Sequence, residues 1–194
     1  CSHVDRVRNH DIGCGIVTNS PRGPLRLGGW TRLTAREGGT VTALGAAVGD
    51  ESHVLATTLS GVFRSTDAGL TWEPSSHGLR SPYVESVALS PAYAVDGRAV
   101  VGTFGAGLHS TSDAGETWIR REFWSLRPAV PAAAYSPDFV SDSTIIAATD
   151  ADGIYISSSG EHSWNGYDDG IKDVRLQALA ISPKFGADRL VLAG

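Results

Sequence analysis

The sequence predicts an all-β protein assembled from similar units, and three observations carry that prediction. Tryptophan recurs every 46 residues, at Trp72, Trp118 and Trp164. A Ser-Pro pair recurs at the same interval, followed each time by an aromatic residue and an aspartate. The runs between these marks have a period near two and no helical stripe, which is typical of strands. A fixed period of this length indicates a repeat architecture.

The Ser-Pro element is expected to form the turn between the first and second strands of each unit. Proline there costs no ladder hydrogen bond, because its missing N–H lies outside the strand pairing. The aspartate can fold its carboxylate back onto backbone N–H groups as an Asx turn. Asp50 occupies the aspartate position one period earlier, in a unit that lacks the Ser-Pro pair. The element comprises Ser90-Pro91, Ser136-Pro137 and Ser182-Pro183, the aromatics Tyr93, Phe139 and Phe185, and the aspartates Asp96, Asp142 and Asp188.

Short apolar and β-branched runs predict the strands, and no segment predicts a helix. Each unit supplies three strands before the tryptophan and a fourth that begins at it. The first-strand runs are 84–89, 130–135 and 176–181, the second-strand runs are 54–56, 99–102, 144–148 and 190–194, and the third-strand runs are 61–64, 107–110 and 153–156. Four antiparallel strands in a repeat of this length form the blade of a β-propeller. The sequence therefore predicts one propeller domain over 1–194, with repeats at 38–83, 84–129 and 130–175.

The two ends of the chain predict a further blade. Residues 176–194 supply its first two strands, and residues 1–37 contain matches to the third and fourth strands at 15–19 and 30–33. Pairing of these halves closes a four-bladed ring and removes exposed sheet edges. A homodimer that completes an eight-bladed ring and truncation of a longer array are the alternatives.

Each tryptophan ends a short motif. Residues 65–72 read Ser-Thr-Asp-Ala-Gly-Leu-Thr-Trp, and residues 111–118 read Thr-Ser-Asp-Ala-Gly-Glu-Thr-Trp. The third copy, 157–164, keeps the serine and the tryptophan but has Ser159 for the aspartate and Glu161 for the glycine. The motif resembles the Asp-box, or BNR repeat, of sialidases, sortilin-type receptors, xyloglucan-degrading hydrolases and photosystem II stability factors. With the Ser-Pro element the resemblance covers residues 15–194, and it implies a propeller.

A structural role is expected for this motif. A tight turn between the third and fourth strands needs a residue that tolerates positive φ, which glycine does. The aspartate can accept backbone N–H bonds inside the turn, and the indole can fill the gap toward the neighbouring blade. In the proteins that the motif resembles this turn lies away from the ligand face, which implies that its carboxylates are not catalytic. The structural set is Ser65, Asp67, Gly69, Thr71, Trp72, Thr111, Asp113, Gly115, Thr117, Trp118 and Trp164.

Composition narrows the classes of function. The 194 residues carry a net charge of −5 without a Lys/Arg cluster, which argues against nucleic-acid binding. No apolar run approaches the roughly 20 residues that span a bilayer. The histidines show no metal spacing, and no phosphate loop or nucleophile with an adjacent base is visible, so no metal or cofactor is predicted. A sialidase needs arginines that converge on a carboxylate and a Tyr–Glu pair, whereas the arginines here fall at unrelated repeat positions.

Two segments are candidates for binding. Asp150 and Asp152 lie in a predicted loop between second and third strands, where they bind a cation or a sugar hydroxyl, or simply form the turn. In the segment that connects the end of one predicted blade to the next, the mixture of aromatic and arginine residues is typical of binding hot spots, although inter-blade packing explains it equally well. The residues of this second candidate are Arg121, Phe123, Trp124 and Arg127.

These observations favour a non-catalytic scaffold or protein-binding subunit of an extracytoplasmic or membrane-attached assembly. The alternative is a carbohydrate-active glycoside hydrolase or a fragment of one. A protein partner is expected, and a glycan ligand is also compatible. Cys1 is typical of a mature bacterial lipoprotein, so we expect a secreted, periplasmic or lipid-anchored protein, although an arbitrary chain boundary explains Cys1 equally well. A disulfide between Cys1 and Cys14 is compatible with an oxidising compartment, but the spacing does not require it.

Overall fold

The computed structural model describes residues 39–122, 129–167, 169–171 and 175–194. These residues form three four-stranded antiparallel sheets and one two-stranded sheet, each with its strands in chain order. We call the sheets blades 1 to 4. Blade 1 contains β1 (Val41–Ala46), β2 (Val54–Thr58), β3 (Gly61–Ser65) and β4 (Glu73–Pro74), and blade 2 contains β5 (Val84–Leu89), β6 (Ala99–Thr103), β7 (Gly107–Thr111) and β8 (Ile119–Arg120). Blade 3 contains β9 (Ala132–Tyr135), β10 (Ile145–Ala148), β11 (Ile154–Ser157) and β12 (Asn165–Tyr167), and blade 4 contains β13 (Leu179–Ile181) and β14 (Val191–Ala193). The predicted all-β class and its four-stranded antiparallel units are confirmed.

Each Ser-Pro element ends in a single helical turn, so the prediction that the chain contains no helix is wrong. The turns are α1 (Tyr93–Asp96), α2 (Phe139–Asp142) and α3 (Phe185–Asp188). Four residues are too few to display a 3.6-residue periodicity, so the sequence pattern carries no sign of them. Asp96 Oδ2 accepts a hydrogen bond of 2.7 Å from Ser90 Oγ, and Asp96 Oδ1 accepts one of 2.9 Å from the Arg98 N–H. The equivalent bonds recur at Asp142 and Asp188.

The strand boundaries follow the predicted runs to within a few residues. The fourth strands begin one residue after each tryptophan, at Glu73, Ile119 and Asn165. The predicted runs do not mark β1, because its unit lacks the Ser-Pro pair that identifies first strands elsewhere. Ring closure through residues 1–37 falls outside the described residues, so the four-bladed ring and the homodimer both stay predictions.

The hydrophobic core lies between neighbouring blades. Because successive side chains of a strand point to opposite faces, β6 contributes to two clusters. Ala99 and Val101 pack with residues of blade 1, whereas Val100 packs with residues of blade 3. Trp118 and Trp164 are buried members of these two clusters, and Trp72 is half-buried against Ala56 and Phe63 of blade 1. The first strands β1, β5, β9 and β13 lie side by side, each next to the following one, which is how propeller blades are arranged.

The array has two faces with different loops. The helical turns and the loops that end at the tryptophans share one face: the Ala114 N–H donates to Gly97 O at 3.0 Å, and the Gly160 N–H donates to Ser143 O at 3.0 Å. We call the loops 65–72, 111–118 and 157–164 the box loops and this side the box face. The second strand of each blade leads away from it to a hairpin. The opposite side of the array, which we call the hairpin face, is formed by these hairpins and by the connections between blades. The hairpins are residues 59–60, 104–106 and 150–152.

Candidate functional site

The first two box loops are closed by a carboxylate that accepts hydrogen bonds from within the loop. Asp67 Oδ1 accepts a bond of 2.8 Å from the Thr71 N–H, and Asp67 Oδ2 accepts one of 2.7 Å from Thr71 Oγ1. The Thr71 hydroxyl and N–H, with Ser65 Oγ, lower the pKa of Asp67 below its ordinary value. Asp113 makes the same contacts with Thr117 in the second loop. Both carboxylates are therefore occupied by their own loops.

Two successive residues of positive φ shape each box loop. Gly69 and Gly115 have φ of 83° and 88°, in the region that glycine tolerates, and the alanine before each is also left-handed. The third loop keeps this backbone but not these residues. Ser159 Oγ accepts a hydrogen bond of 3.0 Å from the Ser163 N–H, so a hydroxyl replaces the carboxylate. Glu161, with φ of 87°, holds the glycine position, where a side chain is strained.

The strained Glu161 forms a buried ion cluster between blades 2 and 3. Its side chain is 2% exposed, Oε2 lies 3.1 Å from Arg121 Nη2, and Oε1 lies 3.5 Å from Arg98 Nη1. Tyr135 Oη donates to Glu161 Oε1 at 3.2 Å. Burial, followed by the charge of Glu161, raises the pKa of Tyr135 well above its ordinary value, so the phenol keeps its proton. Arg121 also donates from Nε to Ser110 Oγ at 2.6 Å.

This cluster contains the residue types that a sialidase site requires, but every carboxylate oxygen is already paired. Two arginines and a Tyr–Glu pair come together although they lie far apart in the sequence. The two arginines pair with the carboxylate of Glu161, which is shielded from solvent. The cluster therefore joins blade 2 to blade 3, and we call its four residues, Arg98, Arg121, Tyr135 and Glu161, the clamp. Arg121, a candidate binding residue from the sequence, is held in this clamp, while Phe123, Trp124 and Arg127 lie outside the described residues.

A second set of unusual residues lies on the hairpin face. Tyr83, just before β5, and Phe104, in the β6–β7 hairpin, are 53% and 58% exposed. Their backbones are joined by a hydrogen bond of 2.9 Å from the Phe104 N–H to Tyr83 O. The corresponding residues one repeat later are Ala129 and Asp150, again joined by a bond from the Asp150 N–H, of 3.3 Å. The aromatic pair is therefore a departure from the repeat, and this departure was the available sequence signal.

Three carboxylates lie at the same end of the blades: Glu85, two residues after Tyr83, and Asp150 and Asp152 in the β10–β11 hairpin. Glu85 occupies a bulge of β5, where the register with β6 slips between Val84 and Ser86. Glu85 Oε2 and Asp152 Oδ2 are shielded from solvent and find no hydrogen-bond partner among the described residues. Burial, followed by the negative charge of Asp150, raises the pKa of Glu85. Asp150 Oδ1 accepts a bond of 3.3 Å from the Ala129 N–H. Asp150 and Asp152 were expected from the sequence, whereas Glu85 was not.

Within the part of the chain that the structure describes, no group of three or more His, Cys, Asp or Glu side chains is placed to hold a metal ion. No helix of those residues is long and apolar enough to cross a membrane.

The fold defines the class of protein: these are blades of a β-propeller. Similar solved structures are an ancestral GH74 enzyme, YCF48 bound to a D1 peptide, and the extracellular domain of the one-component system BT4673 from B. thetaiotaomicron. Their sequence identities are 22%, 14% and 13%, with TM-scores of 0.62, 0.54 and 0.61. The aligned part covers 79%, 80% and 84% of this chain but only 22%, 49% and 22% of those chains.

At these identities the likeness shows the propeller fold alone. The chain spans less than half the length of each of these proteins. No protein-family model matches the sequence, and no curated protein matches it either.

Proposed function

We propose that the chain is a non-catalytic propeller module that binds a protein partner through its hairpin face. The observation that carries the proposal is the exposed aromatic pair Tyr83 and Phe104. Aromatic side chains supply large contact areas and are enriched in protein interfaces and at their hot spots. A peptide-bound YCF48 and an extracellular domain among the similar structures support a binding role in an extracytoplasmic or membrane-attached assembly.

The proposal includes the assignment of the box loops as Asp-box repeats that serve the fold. This assignment is supported by the hydrogen bonds of Asp67 and Asp113, since each carboxylate accepts its bonds from residues of its own loop. The box face would then hold the blades together, while the hairpin face remains available for the partner.

Replacement of both exposed aromatics is expected to weaken binding of the partner. We expect the Tyr83→Ala, Phe104→Ala double variant to fold and to lose at least tenfold in affinity, because hot-spot aromatics carry much of an interface's binding energy. Cross-linking in a native membrane extract, followed by titration of the captured protein, measures this. Val95→Ala is the matched control, since Val95 is 92% exposed on α1 of the opposite face. A partner that binds the double variant as tightly as the control contradicts the proposal.

A glycoside hydrolase is the second candidate, favoured by the Glu85–Asp150 pair. Hydrolysis of a glycosidic bond needs one protonated and one ionised carboxylic group, and environments that separate two pKa values supply them. Burial and the charge of Asp150 raise the pKa of Glu85, which suits a proton donor. Incubation with a panel of neutral polysaccharides tests this: turnover that falls more than a hundredfold in both Glu85→Gln and Asp150→Asn supports the enzyme. Absence of released sugar from the wild-type chain eliminates it.

A further inference from the structure

We infer that the partner segment bound at the hairpin face presents arginine or lysine side chains to a surface formed by Tyr83, Phe104, Glu85, Asp150 and Asp152. The inference rests on the proposed protein-binding function and names the chemistry of the partner. We call these five residues the aromatic–acidic surface.

The members of the aromatic–acidic surface are neighbours through the backbone. The backbone N–H of Phe104 donates a hydrogen bond to Tyr83 O. Thr103, the residue before Phe104, accepts a hydrogen bond of 3.3 Å from the Val130 N–H. Ala129, next to Val130, exchanges two hydrogen bonds of 3.3 Å with Asp150. These hydrogen bonds link the segments that carry Tyr83 and Phe104 to the β10–β11 hairpin of blade 3, which carries Asp150 and Asp152.

The negative charge of this surface is uncompensated within the described part of the chain. The ion pairs there join His53 with Asp50, and arginines with Glu73, Glu116, Asp142 and Glu161, and none includes Glu85, Asp150 or Asp152. Two carboxylate oxygens, Glu85 Oε2 and Asp152 Oδ2, also lack hydrogen-bond donors in those ranges. A buried acceptor without a donor costs free energy. A cation bound beside the half-buried side chains of Glu85 and Asp150 would relieve the repulsion between their carboxylates.

Arginine and lysine fit both halves of the surface. The guanidinium or ammonium group donates charge-assisted hydrogen bonds to carboxylates. The same groups are attracted to the faces of aromatic rings. The hydroxyls of a neutral glycan would supply donors but no positive charge, so they would leave the repulsion between Glu85 and Asp150 in place. A basic peptide segment is therefore the occupant that the charges favour.

Fluorescence anisotropy with defined peptides tests the inference. The probe is a labelled peptide of three Gly-Ser-Arg repeats, and its matched control has glutamine in place of each arginine. We expect the arginine peptide to bind the wild-type chain and the glutamine peptide to bind at least tenfold more weakly. Glu85→Gln and Asp150→Asn are each expected to weaken the arginine peptide about fivefold, and added salt to weaken it further. Glu51→Gln, an exposed carboxylate on the box face, should leave binding unchanged.

Thermal unfolding of the same variants separates binding from folding. Because Glu85 Oε2 is buried without a partner, Glu85→Gln is expected to keep or raise the Tm while it weakens the peptide, which a structural carboxylate would not do. Equal binding of the two peptides overturns the inference. If a protein partner still requires Tyr83 and Phe104 in that case, the proposed function stands. Binding of a neutral xyloglucan oligosaccharide in place of the arginine peptide overturns the inference in favour of a glycan ligand.

Discussion

Glu161→Gln is expected to lower the free energy of unfolding by about 3 kcal/mol, the largest effect of any single substitution considered. Removal of one member of a buried ion pair leaves the remaining charge without compensation, which typically costs 3–5 kcal/mol. The lower end applies because the side chain of Arg98 is 36% exposed and retains contact with water. The Tyr135 hydroxyl keeps an acceptor in the glutamine carbonyl. Urea unfolding followed by tryptophan fluorescence measures the change.

A repeat swap provides the matched control for Glu161. One repeat earlier Ser75 and Gly115 occupy the positions of Arg121 and Glu161, and Ser75 Oγ donates to Gly115 O. We expect the double variant Arg121→Ser, Glu161→Gly to recover part of the loss, since it removes the charge of Arg121 and glycine relieves the strain of a φ of 87°. Recovery is incomplete because the Tyr135 hydroxyl loses its acceptor and Arg98 keeps its charge. If the double variant is as unstable as the sum of its two single variants, the clamp does not act as a coupled pair.

Acidification from pH 7 to pH 4 is expected to remove up to about 3 kcal/mol of stability through His109. His109 is fully buried in β7, and its Nε2 accepts a hydrogen bond of 3.3 Å from the Arg80 N–H. Burial, with the nearby charges of Arg120 and Arg80, lowers the pKa of His109 from 6.5 to about 4. Between these pH values the unfolded chain binds more protons than the folded chain. Stability is therefore present above pH 6.5 and is lost as the pH falls toward 4.

His109→Phe is expected to remove this contribution, because Phe63 and Tyr155 hold the same position in blades 1 and 3. The difference in unfolding free energy between wild type and variant, followed from pH 7 to pH 4, isolates His109 from the carboxylates that titrate in the same range. His77→Gln is the control, since His77 is exposed. An identical pH profile in wild type and His109→Phe would show that His109 is not the titrating group.

The repeat in the sequence was sufficient to predict most of the fold. Period-two runs bounded by turn residues specify strands, and each blade is built from contacts that are close in sequence, so β5 to β8 could be located without coordinates. The turns at Tyr93, Phe139 and Phe185 were located but their helical form was not, because one turn is too short to show a period. β1 was missed because its unit lacks the Ser-Pro mark.

The sequence identified only part of each candidate site. Glu161 is visible in the sequence as the residue that replaces a glycine, but nothing marks it as a site residue. Its partners Arg98, in the turn before β6, and Tyr135, in β9, carry no mark either. The sequence marks Asp150 by its loop, whereas Glu85, whose pKa is raised by burial and by the charge of Asp150, lies near the start of an ordinary strand run. Neither the clamp nor the aromatic–acidic surface could be assembled from sequence spacing.

By itself the sequence determined the unit: four strands, the turn chemistry of each loop, and a tryptophan every 46 residues to cover the hairpin. Only the tertiary structure decided which of the residues that differ between repeats come into contact or interact. Arg121 reaches Glu161 and Asp150 acts on Glu85 across the gap between two blades, over 40 and 65 residues of chain. The repeated sequence pattern reflects interactions within one blade. Charge pairing and burial depend instead on how one blade packs against the next, and a periodic sequence pattern carries no information about that packing.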